Sequence, residues 1–311
     1  MAAYGNPCDT VLPVMPQCPV CSSPCAAPVP CHRFDTLARP PRRVTEPLAR
    51  CASCGFWWIT PPPDVDALLD AYRALDASHW APTKGDARGY AHKRALVERF
   101  VPGGRALDVG CFHGELLFAM PDAFERFGVE PCASAAEVAR SRGATVEVAS
   151  ALTAEPPGPF DAVFCMDTIE HIVDQPAFAA RLAAWTAPEG VLVIETGDTH
   201  SLPARLMGPS WAYIGLYEHT CAHSARSLNV LMAQHGLVLL HQERREHTRV
   251  SVRQAARRVA AASLFRAASA LSGVLPPLRS RTARPAPWLG GQDHQLAVFA
   301  HAGSRVSTGA A

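Results

Sequence analysis

From residue 105 to residue 302, short apolar runs alternate with helical patterns, and this alternation constrains the fold of the 311-residue chain more than any other feature. A repeated strand-then-helix unit buries its apolar runs as a parallel sheet covered by helices, the arrangement of an α/β, Rossmann-like protein. Strands are expected over 105–109, 126–129, 145–149, 160–166, 190–195, 238–246 and 295–302. Helices are expected over 115–120, 133–142, 176–186 and 224–234. Ahead of this region, 64–100 reads as helical, with Asp64 as a cap and Val65, Leu68, Leu69 and Tyr72 at helical spacing. Residues before Pro61-Pro62-Pro63 are rich in Cys and Pro and lack helical periodicity. The expected division is therefore a tail and cysteine module over 1–63, a helical connector over 64–103, an α/β domain over 104–303 with a basic helical insertion at 249–290, and a tail over 304–311.

Charge narrows the partners. With 29 Lys+Arg against 28 Asp+Glu, no overall field draws the chain to nucleic acid or to an anionic membrane, and a small-molecule substrate fits better. Lysine occurs only at Lys84 and Lys93 in an Ala- and Pro-rich chain, so arginine richness by itself carries little. The first 17 residues lack a basic start followed by an apolar run, and no uncharged apolar stretch reaches 18 residues. A cytoplasmic protein is the expectation. In a reducing compartment its 11 cysteines are thiols, and metal ligands where they cluster.

Leu107, Asp108 and Val109 end a buried strand, and Gly110 and Gly114 allow a tight turn that brings a helix start close to a ligand. A purely structural turn would account for these glycines. It would not account for Glu130, in Phe127-Gly128-Val129-Glu130-Pro131, which stands about 20 positions later, where nucleotide-binding α/β units place an acidic residue on ribose hydroxyls. The glycine pattern is neither Gly-x-Gly-x-x-Gly nor Gly-Lys-Ser/Thr.

The segment Ala106-Leu107-Asp108-Val109-Gly110-Cys111-Phe112-His113-Gly114 resembles instead the first motif of class I S-adenosylmethionine-dependent methyltransferases. The run from Phe160 to His171 is similar to their fourth-strand motif, and Pro188 to Glu195 to their turn and fifth strand. Glu218-His219-Thr220 with Ser224 to Gly236 resembles the segment before their sixth strand in small-molecule enzymes. The resemblance implies a seven-stranded methyltransferase sheet and S-adenosylmethionine as cofactor. It places Asp108 and Gly110 near the methionine part, with Cys111 and Gly114 in the same loop. It further puts Glu130 on the ribose, Ser150 and Ala151 beside the adenine, and Met166 in the lining. Phe112 departs from the pattern, standing where a middle glycine is usual.

Cys18-Pro-Val-Cys21 and Cys51-Ala-Ser-Cys54 are paired knuckles, each able to offer two thiolates to one tetrahedral zinc across a 29-residue loop. Neither opens a helix after a strand, as a redox pair would. The segment Cys51 to Pro63 also resembles the zinc-ribbon head of methyltransferases from sugar and secondary-metabolite pathways. Four thiolates leave no open position, so the expected zinc is structural. Cys8, Cys25 and Cys31 are competing thiols, read as buried free cysteines.

Methyl transfer from a sulfonium is an in-line displacement, so the protein aligns the acceptor and, for a hydroxyl, removes a proton. His219 and His171 are the leading base candidates, with His113 third, because histidine titrates near neutrality and the first two lie beyond strand ends. Asp167, Glu170 and His171 share a spacing that can place them on one helical face and resembles the acidic-His run of quinone-biosynthesis methyltransferases, where a divalent ion can bind; a hydrogen-bonded helix start is the preferred reading of the same residues. The long connection 201–217 reads as a lid whose aromatics either line an acceptor pocket or simply pack. Arg249, Arg253 and Arg257, with Val252, Ala256, Val259 and Ala260 between them, form a basic amphipathic helix suited to a diphosphate, a membrane surface or plain solvation. The expected function is O-methylation of a sugar or secondary metabolite. The alternatives are a sugar C-methyltransferase, an RNA methyltransferase using the cysteine module for binding, and a non-catalytic module that kept the fold.

Overall fold

The computed structural model describes residues 16–38, 41–75, 86–246, 252–271 and 286–307. Its centre is a seven-stranded sheet built from β4 (Gly104–Val109), β5 (Phe124–Val129), β6 (Thr145–Glu147), β7 (Phe160–Met166), β8 (Thr186–Gly197), β10 (Leu237–Arg245) and β11 (His294–His301), in the order β10-β11-β8-β7-β4-β5-β6. Strands β4 to β8 are parallel, whereas β11 pairs antiparallel with β8 and β10 antiparallel with β11. The α/β expectation holds. The strands are covered on both faces: Leu107, Val109, Val163, Cys165, Leu192 and Ile194 pack on one side, Ala106, Ala162, Phe164, Val191 and Val193 on the other. That period-2 split is why these runs read as continuously apolar.

The helices start where the sequence offers caps. The Asp64 carboxylate accepts from the backbone N–H of Asp66 and Ala67 at the start of α1 (Val65–Arg73), and Asp174 accepts from Ala177 N at α5 (Gln175–Trp185). Ser224 forms a reciprocal capping box with Ser227 at α7 (Ala225–Ala233). Strand β7 coincides with its expected bounds, while β8 begins earlier than 190 because α5 runs straight into it, Thr186 Oγ1 closing onto Leu182 O at 2.8 Å. Strand β6 stops at Glu147, short of residue 149.

A second sheet, absent from the sequence reading, has the order β1-β2-β3-β9: β1 (Val29–Asp35), β2 (Arg42–Arg50), β3 (Trp57–Ile59) and the two-residue β9 (Cys221–Ala222). Its last strand comes from the long connection before α7. This sheet packs through Leu48, Trp57 and Ile59 onto Trp211, Tyr213 and Ile214 of the same connection. In the basic helix α8 (Val252–Leu271), Ala256, Val259 and Ala260 are exposed and Ala262 is buried, so these three positions of the expected apolar face are not core; Arg249 lies outside the described residues, as does Cys8.

Candidate active site

The parallel order reverses between β4 and β7, and open α/β sheets bind ligands in the crevice beyond the strand ends at that point. Val109, Val129, Glu147 and Met166 are the last residues of β4, β5, β6 and β7, so the residues singled out for the cofactor stand on neighbouring strand ends. Gly110 has φ +80° and its N–H donates to Val129 O at 2.8 Å; a Cβ there would lie 2.5 Å from Thr168 Oγ1. Phe112 adopts φ +45°, the left-handed conformation for which the usual glycine is suited. The backbone path is therefore kept despite the side chain, whose ring stacks on His113 at 4.0 Å. In that path the N–H of Phe112 donates to Glu130 Oε2 at 2.9 Å, and Cys132 N donates to Oε1 at 2.8 Å. Cys111 is buried in the loop, and Gly114 (φ +77°) caps α3 (Glu115–Ala119). Ser150 and Ala151 are buried just beyond β6, with Ser150 Oγ 2.9 Å from Thr153 Oγ1; Met166 is half-buried.

Asp108 is buried, and its Oδ1 has no hydrogen-bond partner among the described residues. Burial pushes its carboxyl up to about 7, against the pull of Lys93. Lys93 itself projects from α2 (Asp86–Glu98), its Nζ 2.6 Å from Glu195 Oε2 at the end of β8. That ion pair, with His92 Nε2 2.5 Å from Glu243 Oε1, ties α2 across the sheet.

On the other side of the crevice the sequence brings together residues 48 positions apart. The rings of His171 and His219 are edge to face with centroids 4.7 Å apart, and Tyr213 meets His219 at 4.3 Å. Ligand-capable atoms of Glu170, His171 and His219 all lie within 4.8 Å of one another. His171 Nδ1 lies 2.6 Å from Tyr72 Oη and 3.0 Å from Glu218 O. Since a carbonyl can only accept, that second contact is made with the proton on Nδ1, leaving Nε2 a lone pair. His219 is buried with Nδ1 unpartnered among the described residues; burial, then the neighbouring His171, holds its pKa well below the usual 6.5. His171 is lowered by burial. Both imidazoles are thus uncharged near neutrality, each keeping one ring N–H and offering one lone pair.

Glu170 is fully buried, accepts from Thr196 Oγ1 at 3.0 Å, and is pushed up to about 8 by burial and then by Asp167. Asp167, Glu170 and His171 do not share a helical face. Asp167 sits before a single 3₁₀ turn (Ile169–His171) with φ +46° and faces His294, while Glu170 and His171 on the turn stay close together and meet Thr196 and Tyr72. His113 stays in the loop between β4 and α3, its Nδ1 3.6 Å from Glu115 Oε1.

His294, missed in the sequence, completes this side. Its Nδ1 is 2.9 Å from Asp293 Oδ1 and its Nε2 3.4 Å from Asp167 Oδ1; burial lowers its pKa, but the two carboxylates outweigh that and carry it up to about 10. Of the lid aromatics, Trp211 is edge-on to Trp57, whereas Tyr213 reaches the site, its Oη accepting from Gly197 N at 2.8 Å. The adjacency of Asp293 and His294 just before the last strand was the one local hint.

Away from the crevice, Cys18 Sγ lies 3.6 Å from Cys54 Sγ and Cys21 Sγ 3.5 Å from Cys51 Sγ, with all four sulfurs within 4.8 Å. A tetrahedron with Zn–S of about 2.3 Å has S···S edges of about 3.8 Å, so the cluster fits one zinc. Cys25 is buried nearby; burial and the neighbouring Cys51 push its thiol up to about 12.

The profile of a family described as a methyltransferase domain matches residues 85–242, just over half of the chain. A ubiquinone biosynthesis O-methyltransferase of Xanthomonas campestris pv. campestris is 37% identical over 147 residues, covering 41% of this chain and 59% of the relative. One of Bordetella avium is 30% identical over 145 residues, covering 42% and 60%. The chain thus spans about three-fifths of the length of these curated relatives. Among solved structures, the N-methyltransferase NodS of Bradyrhizobium japonicum with S-adenosyl-L-homocysteine aligns at TM-score 0.49 and 12% identity, covering 77% of this chain and 99% of that one. A SAM-dependent methyltransferase of Leishmania major aligns at 0.48 and 16%, covering 60% and 79%.

Proposed function

This chain belongs to the methyltransferase-domain family matched over residues 85–242, and from that membership we propose that it moves the methyl group of S-adenosylmethionine to a hydroxyl of a small molecule. The observation that carries the acceptor chemistry is the pair of neutral imidazoles at the strand ends, His219 buried and His171 half-buried, with ring centroids 4.7 Å apart. The cofactor supplies an electrophilic methyl on a sulfonium. The residues present fit it: Asp108 offers an unpartnered buried carboxylate oxygen to an ammonium, and Glu130, oriented by two backbone N–H groups, keeps lone pairs for a ribose diol. Gly110, Cys111 and Gly114 would shape the loop, with Ser150 and Ala151 at the adenine and Met166 in the lining.

On the acceptor side, His219 takes the hydroxyl proton on Nδ1, the nitrogen left without a partner, and His171 orients it from the edge. The names of the relatives support oxygen as the methylated atom and make quinone precursors the first class to test; they lend nothing to a sugar or secondary-metabolite acceptor. A second reading has Glu170, His171 and His219 hold a divalent cation that polarises the hydroxyl, favoured by the closeness of their ligand atoms. We assign the four-cysteine cluster to a structural zinc on its sulfur spacing. No described helix is long and apolar enough to cross a membrane.

The test is methyl-labelled cofactor with panels of hydroxylated quinone precursors, nucleotide sugars and RNA, in wild type, His219→Ala and His171→Ala. Label in a quinone precursor as a methyl ether, lost in His219→Ala, is the expected result. Label on carbon or in RNA, or equal turnover in both variants, overturns the reading. Loss of turnover with chelator, restored by a divalent metal while the head keeps its zinc, selects the second reading.

A further inference from the structure

The connection that carries His219 is held from outside the methyltransferase sheet. Phe34 N in β1 donates to Gly215 O at 2.7 Å, Tyr217 N donates back to Phe34 O at 3.2 Å, and Ile59 N donates to Thr220 O at 3.0 Å. Immediately afterwards β9 pairs with β3, Trp57 opposite Ala222 and Trp58 opposite Cys221. The segment on either side of His219 is therefore part of the N-terminal module's own hydrogen bonding.

Inside this frame stands Arg33, the residue before Phe34, with a fully buried side chain. Its Nη2 shares two N–H groups among the carbonyls of Leu216 at 2.9 Å, Tyr217 at 2.5 Å and His219 at 2.7 Å. Its Nη1 donates to Glu46 Oε2 in β2 at 2.5 Å, and the guanidinium lies 5.1 Å from the centroid of the Tyr217 ring. A guanidinium keeps its charge under any condition in which the protein is folded, and a buried charge must be met by dipoles or a counter-ion. One carboxylate, partly open to solvent, meets one edge of Arg33; three carbonyls of the histidine connection meet the other. With Nη1 tied to Glu46, the planar fork holds Nη2 in a fixed place against all three carbonyls, and so links β1 and β2 to the backbone from which the His219 ring projects. A single-centred ammonium has no such fork.

We propose that Arg33 is a positioning residue for His219, and that through it the cysteine module forms a working part of the acceptor side of the site. The proposal rests on the reading of His219 as the base. It gives the module a task beyond its own fold: the metal-held knuckles anchor β1 to β3, and β1 presents the guanidinium that sets the histidine.

The test uses the full chain with Arg33→Met, Arg33→Lys and His219→Ala. Bound zinc and affinity for S-adenosylhomocysteine are expected within twofold of wild type in all three. Amide hydrogen exchange at residues 216–220 should rise at least tenfold in Arg33→Met, and less in Arg33→Lys, while β4, β7 and β8 keep their protection. With catechol as the probe acceptor, kcat should fall at least tenfold in Arg33→Met and recover in part in Arg33→Lys, with KM for the cofactor unchanged. Unchanged exchange at 216–220, or unchanged kcat in Arg33→Met where His219→Ala is impaired, overturns the positioning role alone. Loss of zinc or of cofactor affinity in both arginine variants overturns it too, leaving Arg33 a folding residue. An unimpaired His219→Ala instead sinks the base reading on which the proposal rests.

Discussion

Asp108 gives the sharpest quantitative test of the cofactor site. Burial raises its carboxyl from 3.8 to about 7, so ionising it inside the free protein costs about 4 kcal/mol more than in water, at about 1.4 kcal/mol per unit. Its side chain is buried, so solvent screening does not reduce that figure much. Below about pH 7 the free protein therefore holds a proton on Asp108, while a bound ammonium group favours the carboxylate. Binding of S-adenosylhomocysteine should then release up to one proton per site, and affinity should climb by up to about tenfold per pH unit until the carboxyl is ionised. Above about pH 8 the amino group of the ligand loses its own proton, and affinity should fall again. Titration calorimetry in paired buffers of different ionisation enthalpy, at pH values from about 5.5 to 8, counts those protons directly. Asp108→Asn keeps the shape and removes the charge, so it should bind more weakly and lose the proton release. Wild-type binding without proton release near pH 6, or an Asn variant releasing as many protons as wild type, would refute the assignment of Asp108 to the cofactor's ammonium.

Four further outcomes follow from particular contacts. Cys51→Ser should lose bound zinc and the fold of the head, while Cys25→Ser keeps both; metal analysis with thermal melting checks the contrast. His219→Ala should lower kcat by about 10²–10⁴-fold with cofactor affinity intact, measured by steady-state kinetics beside binding. Gly110→Ala adds a Cβ at φ +80° and 2.5 Å from Thr168 Oγ1, and should cost about 1–3 kcal/mol in denaturant unfolding. His223 is lowered by burial from 6.5 to about 3, so its contribution to stability is intact above pH 6.5 and is lost as pH falls toward 3. The loss should be up to about 1.4 kcal/mol per unit, and chemical unfolding of His223→Gln should show a shallower acid limb; equal limbs would contradict it.

Local sequence information determined how much was legible. Strand β7 was read to the residue because every position from Phe160 to Met166 except Asp161 is apolar and both faces of the strand are covered. Glu130 was readable because its partners, residues 112 and 132, follow the two successive strands β4 and β5, so the whole arrangement lies within a stretch of about 25 residues. The second sheet was not, because β2 carries Arg42, Arg43, Glu46 and Pro47 in an uneven pattern of burial, and β9 is two residues long. His294 reaches Asp167, 127 positions earlier in the chain, and Arg33 the carbonyls of 216–219, pairings that no local pattern announces. Phe112 looked like a defect in the glycine motif; its φ of +45° shows the backbone requirement met at the cost of about 1–2 kcal/mol.

The pairing of Trp57 with Ala222 also sets an order of events during synthesis. The two cysteine knuckles are complete once Cys54 has left the ribosome, so metal can gather them early. The sheet they anchor cannot close then, because its last strand is not made until Ala222. For that interval Trp57 and Trp58 present an unfilled strand edge, open to the hazards of any nascent chain that waits for a distant partner. The cysteine module is thus translated before the strand that finishes it.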